Sequence, residues 1–179
     1  MSPSTASVPP TGTTVVLALD NDISTDVIYP GRFMATVLPT ETPQYAFADN
    51  VEFNTKLKQK AIPPGSIIVA GTNFGCGSSR EQAASTLKGY ELTVVARGFA
   101  RIFLQNAVNL GLRTIICPTI DATEGDLLEI QSDQITNFSR GTSHPVVPLP
   151  KARQEIVDAG GLIQYTRARL LKKSALHKT

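Results

Sequence analysis

The chain has 179 residues, 17 of them Lys or Arg and 15 Asp or Glu, for a formal net charge of +2. That length suffices for one domain with a hydrophobic core. The near-balanced charge, with 6% aromatic residues, excludes the dense basic footprint of a nucleic-acid binder.

No apolar run reaches the length of a membrane span. The opening stretch MSPSTASVPPTGTT is polar and rich in Pro, Ser and Thr. It lacks both the apolar core of a secretory signal and the arginines of a transit peptide, so residues 1–12 are expected to form a flexible arm. The two cysteines, Cys76 and Cys117, are too few for a four-cysteine zinc or iron–sulfur site, so no metal is assigned to this chain. A reduced, cytoplasmic setting fits this cysteine usage.

In chain order, Thr14–Leu19 (TVVLAL) reads as the first strand. Asp20–Pro30 reads as a polar turn and a short extended piece, and the run Thr36–Asp49 as two prolines followed by a helix start. Val51–Gln59 continues helically, and Pro63–Pro64–Gly65 breaks the chain before an apolar strand at Ser66–Ala70. The helix Arg80–Leu87 is expected to end on Gly89 as its C′ glycine. Leu92–Ala96 is a buried strand, Phe99–Leu110 a helix stopped by Gly111, and Thr114–Cys117 a further strand. Strand–helix–strand–helix–strand implies right-handed parallel crossovers and an α/β fold with a mostly parallel core sheet. Asp126–Ile130 and Gln134–Asn137 read as short strands of an added small β portion. GTSHPVVPLP is turn-rich, and Lys151–Asp158 is a last helix before Gly160–Gly161. The basic end RARLLKKSALHK reads as a solvated helix end rather than a binding surface.

The stretch Ser66–Gly89, SIIVAGTNFGCGSSREQAASTLKG, concentrates the chemistry. A strand enters a loop with glycines at 71, 75 and 77, and a helix follows. Gly75 and Gly77 allow the loop amides to come close to a ligand. Ser78 or Ser79 is expected to cap the helix, with Glu81 and Gln82 in capping-box positions. Unpaired N–H groups and the positive end of the dipole favour an anion there, and Arg80 offers a bidentate grip on a carboxylate. A plain strand–turn–helix connection, with Ser78 as cap and Arg80 in solvent, is the equal alternative on spacing alone. The loop lacks the lysine of a P-loop and the acidic ribose ligand of a dinucleotide fingerprint, which favours a small carboxylate over a phosphate. Cys76 sits where a thiolate would be stabilised, but His144 and His177 lie far off in sequence, so a nucleophilic role is set aside.

NFGCGSSREQA resembles the signature of the small swivelling domain of the aconitase superfamily. DNDISTDVIYPGRF, ARGFARIFLQNAVNLGL and GGLIQYTRARL resemble three further segments of that superfamily, in order, and nearest in kind to isopropylmalate isomerase small subunits. The resemblance covers about residues 13–171 and implies a swivelling β/β/α domain there, with a basic tail at 172–179. It implies a hydro-lyase subunit, a dehydratase active only with a large subunit that carries a 4Fe–4S cluster, acting on a dicarboxylic acid in leucine biosynthesis. Carried over by position, Ser78 is the catalytic base, acting as an alkoxide. Ser79 and Arg80 hold a substrate carboxylate, with Gly77 and Cys76 beside them in the binding loop.

In homoaconitase-like relatives, the segment after the first block places an arginine on the substrate's extra carboxylate. Here Arg32, Phe33, Met34, Ala35 and Thr36 form that specificity segment, and Ala35 stands where the arginine would be. A carboxylate facing Met34 and Ala35 would be desolvated and unpaired, whereas an apolar branch would fit. The alternative is that Arg32 turns inward and supplies the cation. Isopropylmalate is therefore the expected substrate. Two departures, the run TVLPTETPQYAFAD and Gln82 in place of a more usual histidine, keep open a methylmalate, dimethylmalate or homoaconitate dehydratase. A non-catalytic carboxylate-binding swivel module is the alternative from another class.

Overall fold

The structure is a computed structural model and describes residues 12–176. Four strands form a parallel sheet: β1 (Thr13–Ala18), β2 (Ile67–Ala70), β3 (Thr93–Ala96) and β4 (Thr114–Ile116). β2 and β3 are buried at every position, which is why they read as unbroken apolar runs rather than alternating ones. Their register is in step, Ile67 opposite Thr93 and Ala70 opposite Ala96. α3 (Glu81–Gly89) crosses from β2 to β3, and α4 (Arg101–Leu110) from β3 to β4.

Three short strands extend β1 on its other side: β5 (Leu127–Ile130), β6 (Gln134–Asn137) and β7 (Thr142–Pro145), all antiparallel. The order is β4-β3-β2-β1-β5-β6-β7. The two ends of this sheet meet, because the Val147 N–H, just past β7, donates to the Ile116 carbonyl of β4 at 2.8 Å. The sheet therefore curls nearly into a barrel. Side-chain alternation divides the core accordingly, with a register shift between Val15 and Leu17 carrying the two to opposite faces of β1. Val15, Ile67, Val69 and Val95 point inward with Cys117, Leu128 and Ile135. Leu17, Ile68, Ala70, Val94 and Ala96 point outward to Leu57, Leu87, Phe103 and Ala107 of the helix layer.

Local structure departs from the sequence expectation at several points. The supposed extended piece before Pro30 contains a four-residue helix, α1 (Thr25–Ile28), whose N–H of Val27 is accepted by Ser24 Oγ. The segment from 36 to 49 forms only a 3₁₀ turn at Thr42–Tyr45, fixed to α3 because Thr42 Oγ1 bonds Ser85 Oγ at 3.0 Å. α2 (Val51–Lys58) follows, capped by Asn50. Gly89 is the last helical residue of α3 rather than its C′ glycine, and the left-handed position is Glu91. Glycine is needed at 89 for space, since a Cβ there would lie 2.3 Å from Pro43 Cγ. Gly111 does close α4 in the left-handed conformation, as its sequence position predicts. β7 lies inside the stretch expected to be turns. The proposed arm falls almost wholly outside the described residues. α5 (Lys151–Asp158) is followed by α6 (Leu162–Leu176), which runs without a break through the expected boundary at 171–172.

Candidate active site

The loops leaving the carboxyl ends of β1, β2 and β3 converge at the N-termini of α3 and α4, where parallel α/β sheets place their ligands. The segment 20–26 after β1 latches the glycine loop 71–80 after β2. Asn21 Oδ1 accepts from the Thr72 N–H at 2.8 Å and its hydroxyl at 3.0 Å, and Asn73 Nδ2 donates to Asp22 Oδ1 at 2.7 Å. The N–H groups of Gly75 and Cys76 both donate to the Ile23 carbonyl, and the Thr25 N–H donates to the Cys76 carbonyl at 2.8 Å. Phe74, fully buried, meets Phe99 and Phe103 edge-on. That burial contributes about 1.5–3 kcal/mol to holding the loop down.

Beyond Cys76 the loop changes character. Gly77, Ser78 and Ser79 are exposed. Among the described residues, no acceptor meets their backbone N–H groups and no partner meets the two hydroxyls. The expected serine cap is absent. Arg80 is the N-cap residue of α3 and makes no side-chain cap bond, because the Arg80 N–H turns back to the Ser78 carbonyl at 2.8 Å and ends the approach to the helix one residue later. The Thr25 hydroxyl also donates to that carbonyl, at 3.0 Å. Ser78 is thus held by its backbone while its Oγ faces solvent.

Arg80 lies deeper, with its side chain 14% exposed. Its Nη1 donates to Asp26 Oδ1 and, at 3.4 Å, to the Tyr29 carbonyl. Among the described residues, Nη2 and Nε have no acceptor, so one edge of the fork remains for a carboxylate. Two groups here escaped the sequence reading: Asp26, which fixes the guanidinium, and Thr25, which fixes Ser78. Their signal was the acidic and hydroxyl residues of DNDISTDVIYP, but pairings across 53 and 54 residues are set by the fold.

The proposed specificity segment begins beside this pair. A Cβ at Gly31 would stand 3.2 Å from both Arg80 Nη2 and Asp26 Oδ1. Arg32 does not turn inward. It donates to Asp49 at the surface and covers the Phe33 ring at 4.6 Å, and those hydrogen bonds hold the Asp49 carboxyl below its ordinary range. Phe33 stacks on Tyr45 at 4.1 Å. The Tyr29 hydroxyl donates to the carbonyls of Phe33 and Thr36, and burial pushes its pKa up, so it stays a donor. These anchors leave Met34 and Ala35 exposed as the uncharged tip of the segment.

The Cys76 thiol donates to the Asp22 carbonyl at 3.3 Å, so its side chain joins its backbone in tying the loop to the segment after β1. Cys117 is buried in the barrel interior, and burial raises its pKa. His144 bonds Thr142 within β7, at the far edge of the sheet. Among the described residues no group of His, Cys, Asp and Glu is placed to hold a metal ion, and one loop cysteine and one barrel cysteine do not fit the ligand set of an iron–sulfur cluster. No described helix is long and apolar enough to cross a membrane.

Comparison with known proteins agrees with this fold. The sequence pattern of the aconitase C-terminal domain matches residues 20–119. The 3-isopropylmalate dehydratase small subunit of Methanosarcina acetivorans is 41% identical over 82% of this chain and 91% of its own length. The isopropylmalate/citramalate isomerase small subunit of Methanocaldococcus jannaschii is 40% identical over 84% and 90%. The crystal structure of a 3-isopropylmalate dehydratase from Methanocaldococcus jannaschii superposes with a TM-score of 0.82 at 36% identity, covering 90% of this chain and 96% of that one. With a curled α/β sheet and matches spanning most of its length, the chain belongs to the aconitase C-terminal domain family, among the 3-isopropylmalate dehydratase small subunits.

Proposed function

We propose that this chain is the small subunit of a heteromeric hydro-lyase that interconverts 3-isopropylmalate and 2-isopropylmalate by dehydration and rehydration, in leucine biosynthesis in the cytoplasm. The observation that carries the proposal is the open stretch 77–80, where, among the described residues, three unpaired amides, an unpartnered serine hydroxyl and an oriented guanidinium share one helix start.

Ser78 is the base that removes the proton α to a carboxylate. A free serine is barely ionised near neutral pH, so its alkoxide requires positive potential. The loop amides, the N-terminus of α3 and Arg80 supply it. Arg80, oriented by Asp26, grips a substrate carboxylate through its open edge, and Ser79 and the Gly77 N–H complete the cradle. Thr25 acts through Ser78 as a positioning residue. The 4Fe–4S cluster of such an enzyme belongs to the larger partner, since the cysteines here do not suit one.

The uncharged tip Met34–Ala35 favours a substrate with an apolar branch. The Methanocaldococcus jannaschii relative, an isopropylmalate/citramalate isomerase small subunit, favours a second reading in which methyl-substituted malates are also accepted. The test is reconstitution with the large subunit. The pair should dehydrate 3-isopropylmalate, followed in the ultraviolet where the unsaturated acid absorbs, and this chain alone should not. Turnover of homoaconitate at an equal rate would contradict the role given to Ala35, and turnover by this chain alone would contradict the division of labour.

A further inference from the structure

α6 is the least buried element of the molecule, and its composition is unusual for a solvated helix. Its first turn is tied to the body: the Tyr165 N–H donates to the Gly161 carbonyl, and the Tyr165 hydroxyl donates to Glu155 of α5 at 3.2 Å. From Leu162 to Lys173 every residue but Tyr165 is exposed. Ile163 is 80% exposed, Leu171 63%, Leu170 61% and Leu162 41%. Ile163, Thr166, Arg167 and Leu170 follow the i, i+3, i+4, i+7 spacing of one helix face, and Leu162 and Leu171 flank it around one shallow hollow. Tyr165 and Arg169, stacked at 5.6 Å, mark the opposite side, toward α5. A 15-residue helix with so little packing is marginal in water by itself, and large apolar side chains grouped on an exposed face mark an interaction surface.

The charge of α6 selects the occupant. Arg167, Arg169, Lys172 and Lys173 lie on this helix, and Leu162–Leu176 contains no acidic residue. A second copy would set like charges against each other on a two-fold interface. We infer that α6 docks lengthwise into an apolar groove with an acidic rim on the large subunit, as a helix-in-groove contact. This inference rests on the heteromeric reading above and adds the surface that joins the subunits. It also revises the reading of the basic end as merely solvated: the cations steer the approach and the leucine–isoleucine face supplies the buried contact.

The experiment measures assembly rather than turnover. The full chain and the double variant Ile163→Glu, Leu170→Glu are each titrated with the large subunit in sedimentation-velocity runs without substrate, at 0.1 and 0.5 M NaCl (salts of roughly 10 and under 5 Å screening length). The chain alone and anionic phospholipid vesicles serve as further arms. The variant should keep the thermal midpoint of the isolated chain, since both side chains face solvent, and weaken assembly by on the order of 100-fold. Higher salt should weaken wild-type assembly. Unchanged assembly of the variant overturns the inference, and so does assembly indifferent to salt. Self-association through α6, or vesicle binding lost in the variant, assigns the face to another occupant and equally overturns it. A pair that assembles but leaves 3-isopropylmalate untouched contradicts the dehydratase reading and leaves this inference standing.

Discussion

The two halves of the glycine loop are built to opposite specifications. Residues 71–76 are pinned to the segment 20–25 and to the start of α4 by backbone and side-chain hydrogen bonds and by the buried ring of Phe74. Residues 77–79 are exposed, and among the described residues their amides have no acceptor. The contrast repeats at the two glycines. A Cβ at Gly75 would fall 2.2 Å from Phe103 Cγ, while at Gly77 the nearest atom is 3.7 Å away. The rigid half positions the open half, and among the described residues the amides of the open half stay available for the carboxylate proposed above. Such preorganisation makes donors effective, because they need no rearrangement when charge develops.

Substitutions sharpen the contrast, beginning with the largest expected loss of stability. Gly75→Ala combines a positive φ of 80° with a steric clash and should cost roughly 3–5 kcal/mol, lowering Tm by on the order of 10 °C. Gly77→Ala, with φ of 86° but open space, should cost only about 1–2 kcal/mol. Equal losses at the two positions would show that the halves are not distinct. Arg80→Lys keeps the charge and removes the planar fork, so KM of the reconstituted enzyme should rise on the order of 10-fold with kcat less affected. Thr25→Val removes the hydroxyl bond to the Ser78 carbonyl and should cost about 1 kcal/mol in urea unfolding, with a fall in kcat that Thr25→Ser reverses.

The smallest effect belongs to the antiparallel strands, where Asp126 makes no hydrogen bond to the loop 71–80. Asp126 accepts from Asn137 Nδ2, the Thr123 N–H and Arg140 Nε, and these bonds hold its carboxyl below the ordinary range. With a depressed folded-state pKa, its stabilisation is complete above the unfolded carboxylate value, about 3.9, and is lost as pH falls through the folded one. Asp126→Asn should lower stability at neutral pH and flatten its decline in acid. Urea titrations at several pH values check this, and turnover should be unmoved.

Legibility in the sequence followed the range of the forces involved. β2 and β3 were readable because strands buried on both faces need continuous apolar runs, and Gly111 because a helix that ends left-handed favours glycine. β7 was not, because Thr142–Pro145 carries no period and becomes a strand only by pairing with β6. Ser78 and Ser79 look like caps locally, but the capping residue is moved to Arg80 by bonds from Thr25 and within the loop. The ordered blocks of family resemblance pointed to the candidate site. The residues that orient it, Thr25 and Asp26, became visible only when β1 and β2 brought two distant loops together.

The exposed hydroxyl of Ser78 is the group proposed to remove the proton. The most direct test of that role is the initial rate of 3-isopropylmalate dehydration by the reconstituted pair carrying Ser78→Ala, with assembly and Tm measured on the same samples. A base at Ser78 predicts a loss of between about 100- and 10,000-fold with assembly and Tm unchanged, since the side chain has no partner among the described residues. A rate within a few-fold of wild type would contradict it.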